Sequence, residues 1–276
     1  MRQLTAIFML VMLLPACMQQ HISHQFSAAN HSSIFSGTAF FALAKSYSWQ
    51  QRDSLAIEWF MQGHVPDFFR RFAPIRVNFT DSSGHHYRLT YWVSPDYFVV
   101  GNNDDWVRVP ITPMAAQRLV DTVHALLPTR KMVDDIYQQS KVKLAPLPMF
   151  AFRDSSVTMY QHHLMIEGQR QQRKGLIAGI KKDVVTTAKL LTDKRANRVA
   201  IYGWHQLNGQ PIQPVYTGHA NWYVDYSHGI RFVHAIGKLN GKKVQLTDLL
   251  SDPQLAALLC NEDSCGYFRY YIEKPL

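Results

Sequence analysis

The chain has 276 residues, of which 47% are hydrophobic, 12% aromatic and 18% charged. This balance excludes collagen-like, low-complexity and disordered chains, because the apolar surface is large enough to offset the chain entropy lost on folding. Lysine and arginine (29) exceed aspartate and glutamate (20), so the formal net charge is +9, and there are 13 histidines. A mean hydropathy of −0.18 and a single long apolar run exclude a polytopic membrane protein.

The N-terminus has the features of an export signal. Arg2 precedes an apolar stretch over residues 6–14, which ends in the motif Leu14–Cys17 (LPAC). The stretch is too short to span a bilayer but is typical of a signal peptide. The motif resembles the lipobox of bacterial lipoproteins, which implies a signal peptide over residues 1–16, a lipid anchor on Cys17 and an outer-membrane or periplasmic location. Plain secretion after a nearby cut is the alternative.

The cysteine count agrees with export. If Cys17 carries lipid, Cys260 and Cys265 remain, with four residues between them. In an oxidising compartment such a pair is expected to form a disulfide. A metal-ligating pair and a cysteine nucleophile are the alternatives, but there is no second cysteine pair and an oxidised pair carries no thiolate.

The first elements of the chain are a tether and a helix. Residues 17–37 are rich in Ser, His, Gln and Asn without periodicity, which is typical of a flexible linker. Ser48 and Gln51 form a capping-box pattern that predicts a helix running to about Gln62.

Two hairpins and three helices follow. Alternation over residues 75–79 and 87–93 around Asp81–Gly84 predicts one hairpin, and residues 97–100 with 106–109 predict a second. The helix signals are Thr112-Pro113 as cap and first residue, Thr129 as a further cap, and the periodicity of residues 158–173.

The last third is rich in strand patterns. The predicted strands cover residues 198–205, 211–216, 222–226, 230–236 and 243–246, with hairpin turns at Asn208-Gly209 and Asn240-Gly241. Segregated helices and strands predict an α+β fold with antiparallel, hairpin-rich sheets. The Pro-rich passage over residues 144–148 divides the chain into an N-terminal region, 38–145, and a β-rich region, 149–276, which could also form one continuous domain.

Positive charge is concentrated between residues 165 and 198, which hold nine basic and three acidic residues. No nucleic-acid recognition motif accompanies them, so no nucleic-acid partner is expected. The pattern favours attraction of an anionic envelope component or glycan, with Lys181, Lys182 and Arg231 as the candidate anion-binding residues. A solvated basic face without a partner is the alternative.

Three histidines and one aspartate within 24 residues make the strongest candidate site, comprising His205, His219, Asp225 and His228. Hairpins return the chain to the same place, so these side chains are predicted to converge in one cleft. Period-2 alternation places Asp225 and His228 on opposite faces of a regular strand, so the strand must end or bulge before Gly229.

Two chemistries suit these residue types. His219, Asp225 and His228 could hold zinc with an open position for water, although the sequence has no HExxH motif. Without metal, Ser227 could be a nucleophile with a histidine as its base and Asp225 as the orienting group. Histidines that only satisfy buried backbone groups are the alternative to both.

Ser227–Arg231 (SHGIR) is similar to the Ser-His-Gly-Cys-Ile-Arg core of L,D-transpeptidases, which work in the bacterial envelope. Here Ile230 follows Gly229 directly, so the nucleophilic cysteine of that family is missing and its chemistry is not implied. Residues 127–134, 202–205 and 225–229 also resemble a group of uncharacterised exported bacterial proteins, which implies export but no activity.

The sequence therefore predicts an exported α+β protein with a polar cleft over residues 202–231. The leading function is a hydrolase acting on an envelope polymer or ester. The alternative is a non-catalytic envelope protein that binds glycan or a partner protein through a basic, aromatic surface.

Overall fold

The computed structural model describes residues 33–271, and these residues form an α+β fold as the sequence predicts. The helices are α1 (Gly37–Ala44), α2 (Trp49–Met61), α3 (Pro113–Thr122), α4 (Arg130–Gln139), α5 (Ser156–Arg170), α6 (Lys189–Thr192) and α7 (Leu246–Ser251). The strands are β1 (Ala73–Thr80), β2 (His86–Val93), β3 (Val99–Gly101), β4 (Trp106–Arg108), β5 (Ala125–Leu126), β6 (Val142–Lys143), β7 (Ile177–Ala178), β8 (Lys182–Val184), β9 (Arg198–His205), β10 (Pro211–Ala220), β11 (His228–Gly229), β12 (Val233–His234), β13 (Ile236–Leu239) and β14 (Lys242–Gln245).

The larger sheet has six strands and is antiparallel throughout, with the order β14-β13-β2-β12-β5 and with β1 also paired to β2. The β1–β2 hairpin confirms the turn predicted at Asp81–Gly84, and its inward residues, such as Ile75 and Val77, alternate with exposed ones. Strands from both sides of the Pro-rich passage lie in this sheet. The N-terminal and C-terminal regions therefore share one sheet.

The second sheet has the order β10-β9-β8-β11, in which β11 runs parallel to β8 and the other pairs are antiparallel. The turn at Asn208-Gly209 joins β9 to β10 as predicted. Residues 222–226 and 230–236 do not form the continuous strands that the sequence suggests. The backbone N–H of Tyr226 instead donates to Arg153, and that of His228 closes a turn on Asp225.

Helices α2, α3 and α4 begin where the sequence places their caps. Ser48 and Gln51 form the capping box of α2, and the hydroxyls of Thr112 and Thr129 accept from the first turns of α3 and α4. Helix α5 begins two residues before the predicted start at Thr158 and is capped by Ser155. The main hydrophobic cluster draws residues from α1, α2, α3, α5 and the second sheet.

The C-terminal segment carries the predicted disulfide between Cys260 and Cys265, whose Cα atoms are 5.9 Å apart. This bond agrees with an oxidising, exported compartment. No helix of the described residues is long and apolar enough to cross a membrane.

The predicted signal peptide, Cys17 and most of the predicted tether lie outside the described residues. The end of that tether is folded rather than free, since Phe35 stacks on His64 with ring centroids 3.5 Å apart and α1 begins at Gly37.

Two helical glycines allow a test of the packing. A Cβ on Gly37 would lie 2.5 Å from the backbone carbon of Trp106 and 2.7 Å from Val107 Cγ1, so Gly37→Ala should lower the free energy of unfolding by about 1–3 kcal/mol. A Cβ on Gly168 in α5 would meet nothing within 4 Å, so Gly168→Ala should raise it by about 0.5–1 kcal/mol. Urea unfolding followed by circular dichroism measures both, and a Gly37→Ala protein as stable as wild type would contradict the packing described here.

Candidate functional site

The centre of the candidate site is a turn that joins the end of the β10 segment to β11. The N–H of His228 donates to the carbonyl of Asp225 at 3.1 Å, and the N–H of Ser227 donates to Asp225 Oδ1 at 2.8 Å. Aspartate favours such turns because its side chain accepts from the backbone two residues on. The sequence pattern allows Asp225 and His228 to share a cleft only if the strand ends or bulges before Gly229. The turn meets this condition, because β11 begins only at His228 and the two residues therefore lie near each other.

The carboxylate of Asp225 is fully buried and saturated with donors. Oδ1 also accepts from Ser227 Oγ at 2.5 Å, and Oδ2 accepts from Arg153 Nη2 at 3.0 Å and from Tyr223 Oη at 3.3 Å. Burial alone would raise the pKa of Asp225. The charge of protonated His228, the Ser227 hydrogen bonds and Arg153 outweigh burial and lower the pKa to about 2.

His228 is buried next to this carboxylate without satisfying its own polar atoms. Its side chain is 1% exposed, and neither ring nitrogen has a hydrogen-bond partner among residues 33–271. Nε2 lies 4.0 Å from Asp225 Oδ1, which is too far for a hydrogen bond. Burial lowers the pKa of His228 to about 4, so the imidazole is neutral at pH 7.

His219 reaches the same place from β10. Two register shifts interrupt the pairing of β10 with β9, between Gln213 and Tyr216 and between Tyr216 and His219, and such irregularities redirect side chains. The His219 ring centroid lies 5.8 Å from that of His228 and 4.7 Å from that of Tyr223. His219 is partly exposed, and burial lowers its pKa from 6.5.

Two cations flank the histidines. The backbone of Lys182 pairs with that of His228, and its Nζ lies 4.7 Å from the ring centroid of Trp204. Arg153 keeps 41% of its side chain exposed while it contacts Asp225. The site thus combines two imidazoles that are neutral at pH 7 with one fixed carboxylate and two positive groups.

The prediction that His205 joins this cluster is wrong. His205 Nε2 lies 3.1 Å from Asp134 Oδ1 and its ring stacks on Tyr137, beside a different cavity of about 440 Å³. Gly203 and Trp204, just before it in β9, have positive φ angles. His205 pairs with Pro211 near the turn of the β9–β10 hairpin, whereas His219 pairs with Val199 at its far end, about 20 Å away for six residues of strand.

The structure does not support Ser227 as a nucleophile. Its hydroxyl is fully buried and donates to Asp225, and no histidine is within hydrogen-bond distance of it among the described residues. A serine nucleophile needs a base that accepts its proton and an exposed oxygen.

The predicted anion-binding residues Lys181, Lys182 and Arg231 are all buried and do not form an exposed basic face. Arg231 donates to the carbonyls of Ser94 and Ile177, and Lys181 Nζ donates to the carbonyl of Tyr226 and lies 3.1 Å from His162 Nδ1.

The zinc hypothesis does not fit the geometry either. Among residues 33–271, no group of three or more His, Cys, Asp or Glu side chains is arranged to hold a metal ion. The lone pairs of Asp225 are already used by Ser227, Arg153 and Tyr223.

Sequence reasoning missed Arg153 and Tyr223. Arg153 comes from the segment before α5, 72 residues away from Asp225 along the chain, and no local pattern signals that contact. Tyr223 could have been found, because it lies in the predicted cleft two residues before Asp225.

Comparison with protein-family models, with curated proteins and with solved structures finds no match to this chain. The function is therefore inferred from the geometry alone.

The neutral state of buried His228 has a consequence for stability. Its pKa falls from 6.5 to about 4 on folding, so below pH 6.5 the unfolded chain binds a proton that the folded chain does not. This histidine should therefore reduce stability by about 1.4 kcal/mol per pH unit as the pH falls from 6 to about 4.5.

A His228→Gln variant cannot bind this proton in either the folded or the unfolded state. Urea unfolding of both proteins at pH 7, 6 and 5 should show their difference in unfolding free energy changing with about that slope, since the groups that do not interact with His228 cancel. Curves that stay parallel would show that His228 is not held neutral.

Proposed function

We propose that this protein is a hydrolase that acts on a polymer or ester of the cell envelope, with His219 as its general acid and base. The observation that carries the proposal is His228, a buried imidazole with two unpartnered nitrogens next to both His219 and Asp225. An unsatisfied buried polar group costs about 1–3 kcal/mol, which a purely structural side chain has no reason to impose.

His219 is the group placed to meet a substrate. It is partly exposed, and burial lowers its pKa, so at pH 7 it is neutral and able to accept a proton from water. The charge that His219 then gains is stabilised by the carboxylate of Asp225, which stays ionised. His228 lies beside both groups, with Nε2 4.0 Å from Asp225 Oδ1 and its ring centroid 5.8 Å from that of His219.

Besides a proton acceptor, hydrolysis needs positive charge to stabilise the oxygen on which negative charge develops. Lys182 and Arg153 supply that charge. Attack of water on an ester or a similar bond develops negative charge on an oxygen, and fixed positive groups stabilise that charge. Both side chains border the histidines, and their charges interact with Asp225. A proton acceptor and two positive groups therefore interact with the same carboxylate.

The compartment in which the protein works limits the class of substrate that it can meet. The Cys260–Cys265 disulfide agrees with an exported protein, so a component of the envelope is the substrate class that such a protein meets. The rival function, non-catalytic binding of a glycan or partner protein, is favoured by the exposed rings of Trp222 (54%) and Tyr216 (43%) near the same site.

The test is hydrolysis by the purified chain of p-nitrophenyl acetate and of isolated envelope polymers, followed by nitrophenolate and by new chain ends. Replacing a general base lowers the rate by about 100-fold or more, so His219→Ala should do so. The rate of the wild type should fall at acidic pH, and at a lower pH than for an ordinary histidine, because protonation removes the base and burial lowers the pKa of His219.

His85→Ala is the matched control, because it removes an exposed histidine in the turn of the larger sheet. Equal rates for wild type, His219→Ala and His85→Ala, or no hydrolysis of any substrate, would contradict the proposal and favour the binding function.

We also propose that Cys17 is acylated and anchors the protein to the outer membrane. The support is the lipobox-like motif at Leu14–Cys17 together with a disulfide that agrees with export. Cys17→Ser should move the protein from the membrane fraction to the soluble periplasmic fraction after cell disruption. Unchanged membrane association would contradict acylation at this residue.

A further inference from the structure

A second cavity adjoins the histidine site. It has a volume of about 320 Å³, at the lower end of the range for small-ligand pockets. It lies between the start of α2, the start of α5 and the loop that follows β10. The side chains that matter for the argument are Tyr47, Trp49, Arg52, Ser156, Trp222 and Tyr223.

The floor of this cavity contains polar groups that nothing in the described residues satisfies. Arg52 is 2% exposed, and its Nε and Nη2 have no hydrogen-bond partner. The nearest Asp53 oxygen is 3.8 Å from Nη2, which is too far for a hydrogen bond. Ser156 Oγ, in the first turn of the 15-residue helix α5, is also buried without a partner.

The unpartnered groups of Arg52 and Ser156 favour an anionic ligand. A guanidinium with free N–H groups suits a planar carboxylate, and the N-terminus of a helix favours negative charge. The charged residues that line the cavity are Lys45, Arg52 and Asp154, with a net charge of 2 − 1 = +1. Asp53 is not part of the lining, but it lies 3.8 Å from Arg52 Nη2, and burial raises its pKa to about 6. The small positive excess of the lining suits a singly charged carboxylate better than a phosphate with nearly two negative charges.

The aromatic walls of the cavity favour a ligand that contains an amphipathic ring. Trp222 is 54% exposed and Tyr47 is 36% exposed, and Trp49 and Tyr223 complete an aromatic surface around the polar floor. Flat aromatic side chains offer an apolar face and a polar edge, which matches the apolar face and polar rim of a sugar ring.

We propose that this cavity binds a sugar residue that bears a carboxylate, with its ring on Trp222 and its carboxylate on Arg52. Tyr223 is the wall that the cavity shares with the histidine site, because its ring also contacts His219 and its hydroxyl donates to Asp225. Given the proposed hydrolase, on which this step rests, the substrate is an acidic glycan whose neighbouring linkage is presented to His219.

Binding is tested separately from hydrolysis with the His219→Ala protein. Isothermal titration should use four acidic sugars, namely glucuronate, galacturonate, N-acetylmuramate and N-acetylneuraminate, each beside a neutral counterpart of the same ring. At least one acidic sugar should bind at least about tenfold more tightly than its neutral counterpart. Inorganic phosphate is the competing anion and should not displace it at equal concentration.

Variants locate the binding site. Trp222→Ala should weaken binding of the acidic sugar by about tenfold, whereas Tyr271→Ala, which removes an 80% exposed ring elsewhere, should not change it. Arg52→Gln should abolish the preference for the acidic sugar. Because Arg52 is buried and its replacement also disturbs the packing, Lys45→Ala at the exposed rim serves as the second charge variant and should reduce the preference.

Each result has one meaning. Equal affinity for acidic and neutral sugars, no binding of any of them, displacement by phosphate, or binding indifferent to Trp222→Ala would overturn the inference. Ester hydrolysis without sugar binding would support the hydrolase function and contradict an acidic glycan as its substrate. Sugar binding without hydrolysis by the wild type would leave the cavity assignment standing and remove the hydrolase.

Discussion

The buried carboxylate of Asp225 is the contact on which the arrangement of the site depends. Its two oxygens accept four hydrogen bonds from three residues, Ser227, Arg153 and Tyr223. Tyr223 and Ser227 lie in the loop between β10 and β11, and Arg153 precedes α5. A buried carboxylate without donors would be protonated, so these contacts both keep the charge and join the two segments around it.

Burial and nearby charges also set the protonation states of the buried residues around Arg108 and Lys181. Arg108 is 1% exposed and donates to both oxygens of Asp96, at 2.9 and 2.6 Å. Burial, and then the charge of Arg108, keep the pKa of neighbouring His163 well below 6.5. Burial and the adjacent Lys181 lower the pKa of His162 to about 2, so its neutral ring can accept a hydrogen bond from the Lys181 amino group. Burial in turn lowers the pKa of Lys181 to about 7. Part of the excess positive charge of the chain is therefore internal and does not form a surface for anions.

The sequence predicted what is decided locally. The helix caps at Ser48 and Thr112 and the hairpin turns depend on residues within four positions of each other. The proximity of Asp225 and His228 was predictable for the same reason, because an aspartate turn forms within four residues. His205 failed because it lies at the turn end of the β9–β10 hairpin while His219 lies at the far end, and Lys181 failed because a charge count cannot show which side chains point inward.

The contacts that complete the site join distant parts of the chain, which explains why no motif announced them. Buried side-chain atoms without a hydrogen-bond partner include two in Arg52, two in His228 and one each in Asp53, Arg153 and Ser156. They come from α2, from the start of α5 and from the turn before β11, so only the folded chain brings them together. Protein interiors normally satisfy such atoms, and each one left unsatisfied reduces stability. Arg52 and Ser156 line the proposed sugar cavity, where a bound carboxylate supplies acceptors for their N–H and O–H groups. The stability lost at these two residues is then recovered when the site is filled.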